Sequence, residues 1–478
     1  MGRQIDITNS AWMAAMTDTV TPNIELDPTT PLNTAYAIVE TRYTTQDLRT
    51  LHYHGGDFFR WTGTHYEPVD SNTMRANVYD FMDSADCPAK NGAAVQFTPT
   101  PRRVTDAIDA LRAVADIPSS LQLPSWLSGN STIAPMDVIA CKNGLLHSRT
   151  RELYQHTPNF FNRTTLPYDY SPHAPPPLAW FGFLNSLWGH DTAAINTLQE
   201  VMGYLLTSDT SQQKIFALLG PTRAGKGVIA RILSRLLGTE NVASPTLASL
   251  TTNFGLAPLI GKQVAIIADA RLGARSDQQV VAERLLSISG EDNLTIDRKH
   301  RDPWTGRLPA RFFILSNEIP RLGDASGALA KRFVMLVLKR SFYGREDHEL
   351  EPRLSLELPG ILNWALDGRD RLVQRGRFEQ PASSAEVIQE LEDLGSPISA
   401  FLRERCDIGD GWTVDASKLY SDWCSWCMAN GRDHPGNVQS FGRDLRAALP
   451  EIKVSNLRAG DGRNRVYSGL RLKQQPGR

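Results

Sequence analysis

The sequence predicts an α/β protein built on a parallel sheet, with an α+β region before the sheet and a helix-plus-hairpin module after it. Three observations carry this. From Gln213 onward, apolar strands at KIFALLG, QVAIIAD, RFFILSN and RFVMLVL alternate with helical segments, and continuous apolar runs of this kind mark strands buried on both faces. The first strand leads into GPTRAGKG and then a helical pattern, the strand–loop–helix context that a phosphate-binding loop requires. The C-terminal stretch reads as helices and then two strands, IKVSNLR and RVYSGLRL, joined by AGDGRN.

The chain has 478 residues, and at about 100–200 residues per domain it holds two to four. Its 41% hydrophobic and 22% charged content fits a soluble globular protein. A formal net charge of −1 means that any nucleic-acid site is a local patch. Five cysteines do not make a disulfide framework, so a reducing compartment is the default. The opening MGRQIDITNSAWMAAM reads as neither signal peptide nor lipid anchor. No stretch reaches about 18 consecutive apolar residues, so no membrane partner is expected.

Taken in order, polar, Pro/Thr-rich residues 1–35 are expected to form a flexible arm, and residues 36–172 an α+β region. Within that region YHGGDFFRWTGTHYEPV (Tyr53–Val69) alternates aromatic and polar residues around Gly pairs, a hairpin pattern whose rings pack a small sheet more readily than they stack on bases. RRVTDAIDALRAVADIP has helical period, VIACKNGLLHSRTRELYQHTPNFF reads as short strands and turns, and SPHAPPP (Ser171–Pro177) as a linker. Residues 173–208 lead into the core as two amphipathic helices, 209–345 form the α/β core, 346–390 a helical segment, and 391–478 the C-terminal module.

Gly220, Pro221, Thr222, Arg223, Ala224, Gly225, Lys226 and Gly227, with Val228 behind them, fit G-x-x-x-x-G-K. Such a loop aims backbone N–H groups and a helix N-terminus at phosphates, and Lys226 neutralises their oxygens. The expected ligand is ATP with Mg²⁺. Gly227 stands where a Ser or Thr hydroxyl usually touches the metal, and Val228 does not replace it. Asp269 ends the QVAIIAD strand 43 residues after Lys226, as suits a carboxylate holding Mg²⁺ through its waters. Ala270 occupies the position where a water-polarising Glu often follows. The candidate catalytic bases are therefore Glu291, Glu283 and Asp292. Asn317, closing RFFILSN, suits a side chain that holds the lytic water, and Arg332, opening RFVMLVL, suits an arginine finger reaching a neighbouring subunit. Between Asp269 and Asn317, SISGEDNLTIDRKHRDPWTGRL places Arg298, Lys299, His300 and Arg301 at the tip of a finger that contacts nucleic-acid phosphates.

These motifs, in this order, resemble superfamily 3 helicases, and specifically the phage, plasmid and poxvirus primase-helicases of actinobacterial phage or prophage type. The resemblance covers most of residues 125–478. It implies an AAA+-like P-loop ATPase core forming a homo-hexamer, with a C-terminal winged-helix domain. Such a ring hydrolyses ATP between subunits and draws single-stranded DNA through its channel, 3′ to 5′ at a fork. It further implies replication proteins as partners and the bacterial host cytoplasm as location. Lys226 and Asp269 then bind ATP·Mg²⁺, Asn317 is the sensor, Arg332 the finger, and Lys299 and His300 grip the DNA. Gly227 and Ala270 depart from the family pattern. Residues 1–170 offer no acidic pair with a supporting His, so no primase activity is expected.

Other readings are an ATP-switched DNA-binding initiator or loader without appreciable turnover, to which Ala270 lends weight, and a P-loop nucleotide phosphotransferase, to which Gly227 does. Cys424 and Cys427 form a single CxxC, which reads as buried Cys and Trp on one helix rather than a zinc site. From Phe441 to the end, nine Arg or Lys stand against three Asp or Glu, a basic surface suited to duplex origin DNA.

Overall fold

A computed structural model describes residues 24–88, 94–129, 131–270, 278–320, 322, 327–432, 434–459 and 462–473. The chain divides into two compact units, residues 1–122 and 123–478.

In the first unit, helices Pro31–Arg42, Ser71–Asp83 and Pro101–Ala115 accompany a three-stranded antiparallel sheet of Leu51–His54, Asp57–Trp61 and Tyr66–Val69. The first helix begins inside the segment expected to be a flexible arm. Pro31 sits in its first turn, where a missing N–H costs nothing, and Ala35, Ile38 and Val39 are buried against Leu51, Val104 and Leu111. Phe58, Phe59 and Tyr66 are buried in the sheet, so these rings of the aromatic hairpin pack the unit.

The second unit starts earlier than the linker at Ser171–Pro177. Antiparallel strands Val138–Cys141 and Gly144–His147 contribute Ile139, Cys141 and Leu146 to the same core as Leu166, Tyr170 and the helices that follow. Apolar contact, not the proline run, sets the boundary. Next come α1 (Leu178–Trp188) and α2 (Thr192–Leu205), β1 (Ile215–Leu219), α3 (Lys226–Leu237), β2 (Val242–Ala243), β3 (Val264–Ile267) and α4 (Gln278–Ser289). The hairpin β4 (Leu294–Arg298) and β5 (Arg301–Gly306) follows, then β6 (Arg311–Ser316), α5 (Ala328–Arg332) and β7 (Phe333–Val337).

β2, β3, β6, β1 and β7, in that spatial order, form a parallel sheet. All five residues of β1 are buried. Ile215, Ala217 and Leu219 face one core and Phe216 and Leu218 the other, the period-two division of a strand covered on both sides. One cover is the helix pair α2 and α7 (Leu358–Arg375), which follows α6 (Leu350–Leu356). Close approach explains Gly203: a Cβ there would meet the Ala365 carbonyl oxygen at 2.1 Å. The buried Arg311 guanidinium donates to the carbonyls of Leu205 (3.2 Å), Thr207 (2.6 Å) and Asp209 (2.8 Å), satisfying the exit from α2.

Beyond α8 (Ala385–Gly395), whose Leu391 still packs under the sheet, a separate core gathers around Phe401, Leu419, Trp423 and Phe441. Its order is α9 (Pro397–Arg405), β8 (Cys406–Asp415), α10 (Ala416–Ala429), α11 (Val438–Ala448), β9 (Lys453–Ala459) and β10 (Gly462–Leu472). β10 pairs antiparallel with both β8 and β9. The sequence reading lacks β8: CDIGDGWTVD carries two glycines and a register shift between Ile408 and Thr413, which hide its alternation. Trp423, Trp426 and Cys427 are buried on α10, the two indoles stacked at 5.5 Å. No helix among the described residues is long and apolar enough to cross a membrane.

Candidate nucleotide-binding site

Gly220–Gly225 leave the C-terminal end of β1 and enter α3 at Lys226. Two glycines permit the loop to lie where it does. A Cβ on Gly220 would meet the Leu338 carbonyl oxygen at 2.5 Å, and Gly225 adopts φ +91° with Leu187 and Phe183 of α1 packed beneath it. That cradle and the first turn of α3 are the place where a phosphate chain fits. The Lys226 ammonium donates to the carbonyl of Pro221 (2.7 Å) and to Asn317 Oδ1 (2.9 Å). Partial burial lowers its pKa from the ordinary lysine value.

Strand order brings Asn317 here. β6 lies between β1 and β3, hydrogen-bonded to both. Asn317, one residue past β6, therefore sits on the sheet edge from which both the loop and Asp269 emerge. Asp269 lies two residues past β3 and is exposed. The cleft's described lining includes Asn317 but not Asp269. Ala270 is 2% exposed and belongs to the apolar core on the sheet's other side, so that position faces packing and not solvent.

The cleft over the loop has a volume of 530 Å³. Its second wall is a segment that sequence reasoning left without a role. After β7 the chain folds back across the loop: the Phe342 N–H donates to the Arg223 carbonyl (2.9 Å) and the Ser341 hydroxyl to the Thr222 carbonyl (2.8 Å). Phe342, Arg345, His348 and Leu350 line the cleft together with Phe183 and Val228. The apolar members can cover a flat base, and Lys226 and the loop amides have the charge and N–H groups to meet phosphates. The cleft has the groups to accommodate a nucleotide, while for a metal its described lining offers no hydroxyl at Gly227 and Asp269 stands outside that lining.

Glu291 lies elsewhere. Its residue has φ +64°, and its carboxylate accepts from the Thr210 hydroxyl and from Gln213 Nε2 (3.3 Å). Both partners precede β1, so Glu291 is at the sheet end opposite the loop and is not brought to the Lys226 of its own chain. Glu283 is on α4, and Asp292 is exposed beside Glu291. Arg332 occupies the same far end, donating to the carbonyl of Ser289 (2.8 Å) and to Gln213 Oε1 (3.3 Å). It too is remote from the loop of its own chain.

β4 and β5 pair from Leu294↔Gly306 to Arg298↔Arg301, leaving Lys299 and His300 as the turn, with His300 at φ +58°. Lys299, His300 and Arg301 are exposed and Arg298 is half-buried. Ile296, 2% exposed, anchors the hairpin in the core below the sheet. In the C-terminal module part of the basic surface is internally engaged: Arg471 pairs with Asp407 (3.1 Å) and lies over Trp412 (4.2 Å), and Arg443 pairs with Asp444. Arg478 and the side chains of Arg458 and Arg463 lie outside the described residues.

Residues 218–332 match a family of unknown function, DUF5906, and residues 38–189 match the family described as D5 N terminal like. The latter fits the primase-helicase grouping that the sequence resembles. An uncharacterized mitochondrial protein, ymf21, of Marchantia polymorpha is 26% identical over 129 residues, covering 25% of this chain and 72% of that protein. Two apo structures of the NrS-1 C-terminal region are 11% and 12% identical, with TM-scores of 0.47 and 0.48, each covering 92% of this chain and 99% of that one.

Proposed function

We propose that this chain is an ATP-dependent DNA helicase of phage or prophage replication, assembling as a homo-hexameric ring whose active sites lie between subunits. The observation that carries the reading is the Lys226–Asn317 pair at 2.9 Å, at the mouth of a 530 Å³ cleft over a glycine loop and a helix N-terminus. Lys226 and the loop amides bind the phosphates of ATP; Asp269 holds Mg²⁺ through water; Asn317 orients the attacking water. Arg332, facing away from its own loop, completes a neighbour's site. Glu291, at the same far end of the sheet, is then a base only if it too acts on the neighbour's nucleotide. The β4–β5 tip grips single-stranded DNA through Arg298, Lys299, His300 and Arg301. The helix–strand–helix–helix–strand–strand order after Ser396 supports a winged helix that meets duplex DNA. The test is strand displacement on a forked duplex by the full chain beside Lys226→Ala. ATP-dependent unwinding lost in the variant supports the helicase; ATP binding without unwinding or turnover supports the switch reading.

A further inference from the structure

Gly227 has no side chain, yet the room beside it is filled. A Cβ at this position would lie 3.0 Å from Arg231 Nη1. Arg231 is four residues further along α3, on the same face of the helix, and lines the cleft together with Thr222–Val228. Its Nε donates to Glu351, and the same carboxylate also receives Arg235. One carboxylate thus faces two guanidinium groups, leaving positive charge in excess at the loop. The nearby Glu346 is already opposite Arg223 at 3.5 Å, and Asp347 pairs with Arg353.

Resting on the nucleotide reading of this cleft, we propose that Arg231 is a phosphate-binding residue, its guanidinium acting from the space into which a Ser or Thr side chain would project. A hydroxyl at 227 would be uncharged, with a single O–H to donate to a phosphate and its oxygen free to ligate a metal. A guanidinium acts directly: it is permanently charged and presents a planar fork of donors that matches phosphate oxygens. Glycine at 227 is what leaves room for it. Nucleotide binding by this chain therefore draws less on a divalent cation than a hydroxyl-bearing loop does.

The experiment is ATP affinity of the full chain, measured by calorimetry with Mg²⁺ and again with EDTA. Wild type keeps metal-free binding within about tenfold of its Mg²⁺ value. Arg231→Gln weakens metal-free binding by about 10- to 100-fold, the range for a lost hydrogen bond to a charged group, and Mg²⁺ restores part of it. Arg231→Lys keeps the charge and loses less. Gly227→Ser pushes only the flexible end of Arg231 and makes binding more metal-dependent. Glu351→Gln removes the ion pair but keeps the guanidinium, so it preserves metal-free binding; a purely structural role for the Arg231–Glu351 pair predicts a loss there instead. Equal affinity of wild type and Arg231→Gln in both conditions overturns the inference and leaves the nucleotide site standing. No ATP binding by wild type overturns both.

Discussion

Neutralising the hairpin tip changes the salt dependence of single-stranded DNA binding by a calculable amount. Lys299 and Arg301 are exposed at the β4–β5 turn, and the hairpin is anchored from below by buried Ile296. Lys299→Ala with Arg301→Ala therefore removes two cations without touching the packing that holds the hairpin. Each phosphate contact on a single strand contributes about 0.7 to the slope of log affinity against log salt. Over a rise from about 50 to 200 mM salt, one contact accounts for a factor of about 2.6 and two for about 7. Fluorescence anisotropy with labelled oligo-dT across that range reads the slope directly. The double variant binds more weakly at low salt, and its affinity falls about sevenfold less over the range. A double variant with the wild-type slope refutes the placement of DNA at this tip.

Three further outcomes follow from particular contacts. Arg332→Ala lowers ATP turnover about 10³-fold or more while leaving ATP affinity intact, and mixing it with Lys226→Ala subunits restores some activity if the finger serves a neighbour. Gly203→Ala destabilises the second unit by about 2 kcal/mol, overpacking of about 3 outweighing a helix-propensity gain of about 1; Gly182→Ala, with nothing within 4 Å of its Cβ, is the stabilising control, both read by denaturant melts. Burial, aided by the charge of Arg49, pushes the His52 pKa down to about 3. Its folded pKa lies below the unfolded value, so protonation favours unfolding, and the first unit loses up to about 1.4 kcal/mol per pH unit as pH falls from about 6.5 towards 3. His52→Gln flattens that slope in pH-dependent melts.

The α/β core was legible because its strands are buried on both faces and so appear as apolar runs, each ending at a polar or glycine residue: Gly220, Asp269 and Asn317. Their adjacency was not legible. It depends on β6 inserting between β1 and β3, a choice of strand order that no local pattern encodes. Ala270 looked like a missing acid until its burial in the core gave it a packing role. Glu291 was singled out for its charge within a turn, but charge and spacing do not reveal which end of a sheet a turn occupies. Arg231 could have been found from its four-residue offset to Gly227. The cleft's far wall, residues 338–351, could not, because nothing in its composition says that it folds back over the loop.

The most direct measurement is ATP hydrolysis by the purified full chain, with and without single-stranded DNA, beside Lys226→Ala. The account predicts turnover that single-stranded DNA stimulates and that Lys226→Ala abolishes. Turnover that is indifferent to both DNA and Lys226, or ATP that is bound but never hydrolysed under either condition, contradicts a DNA motor driven from this loop.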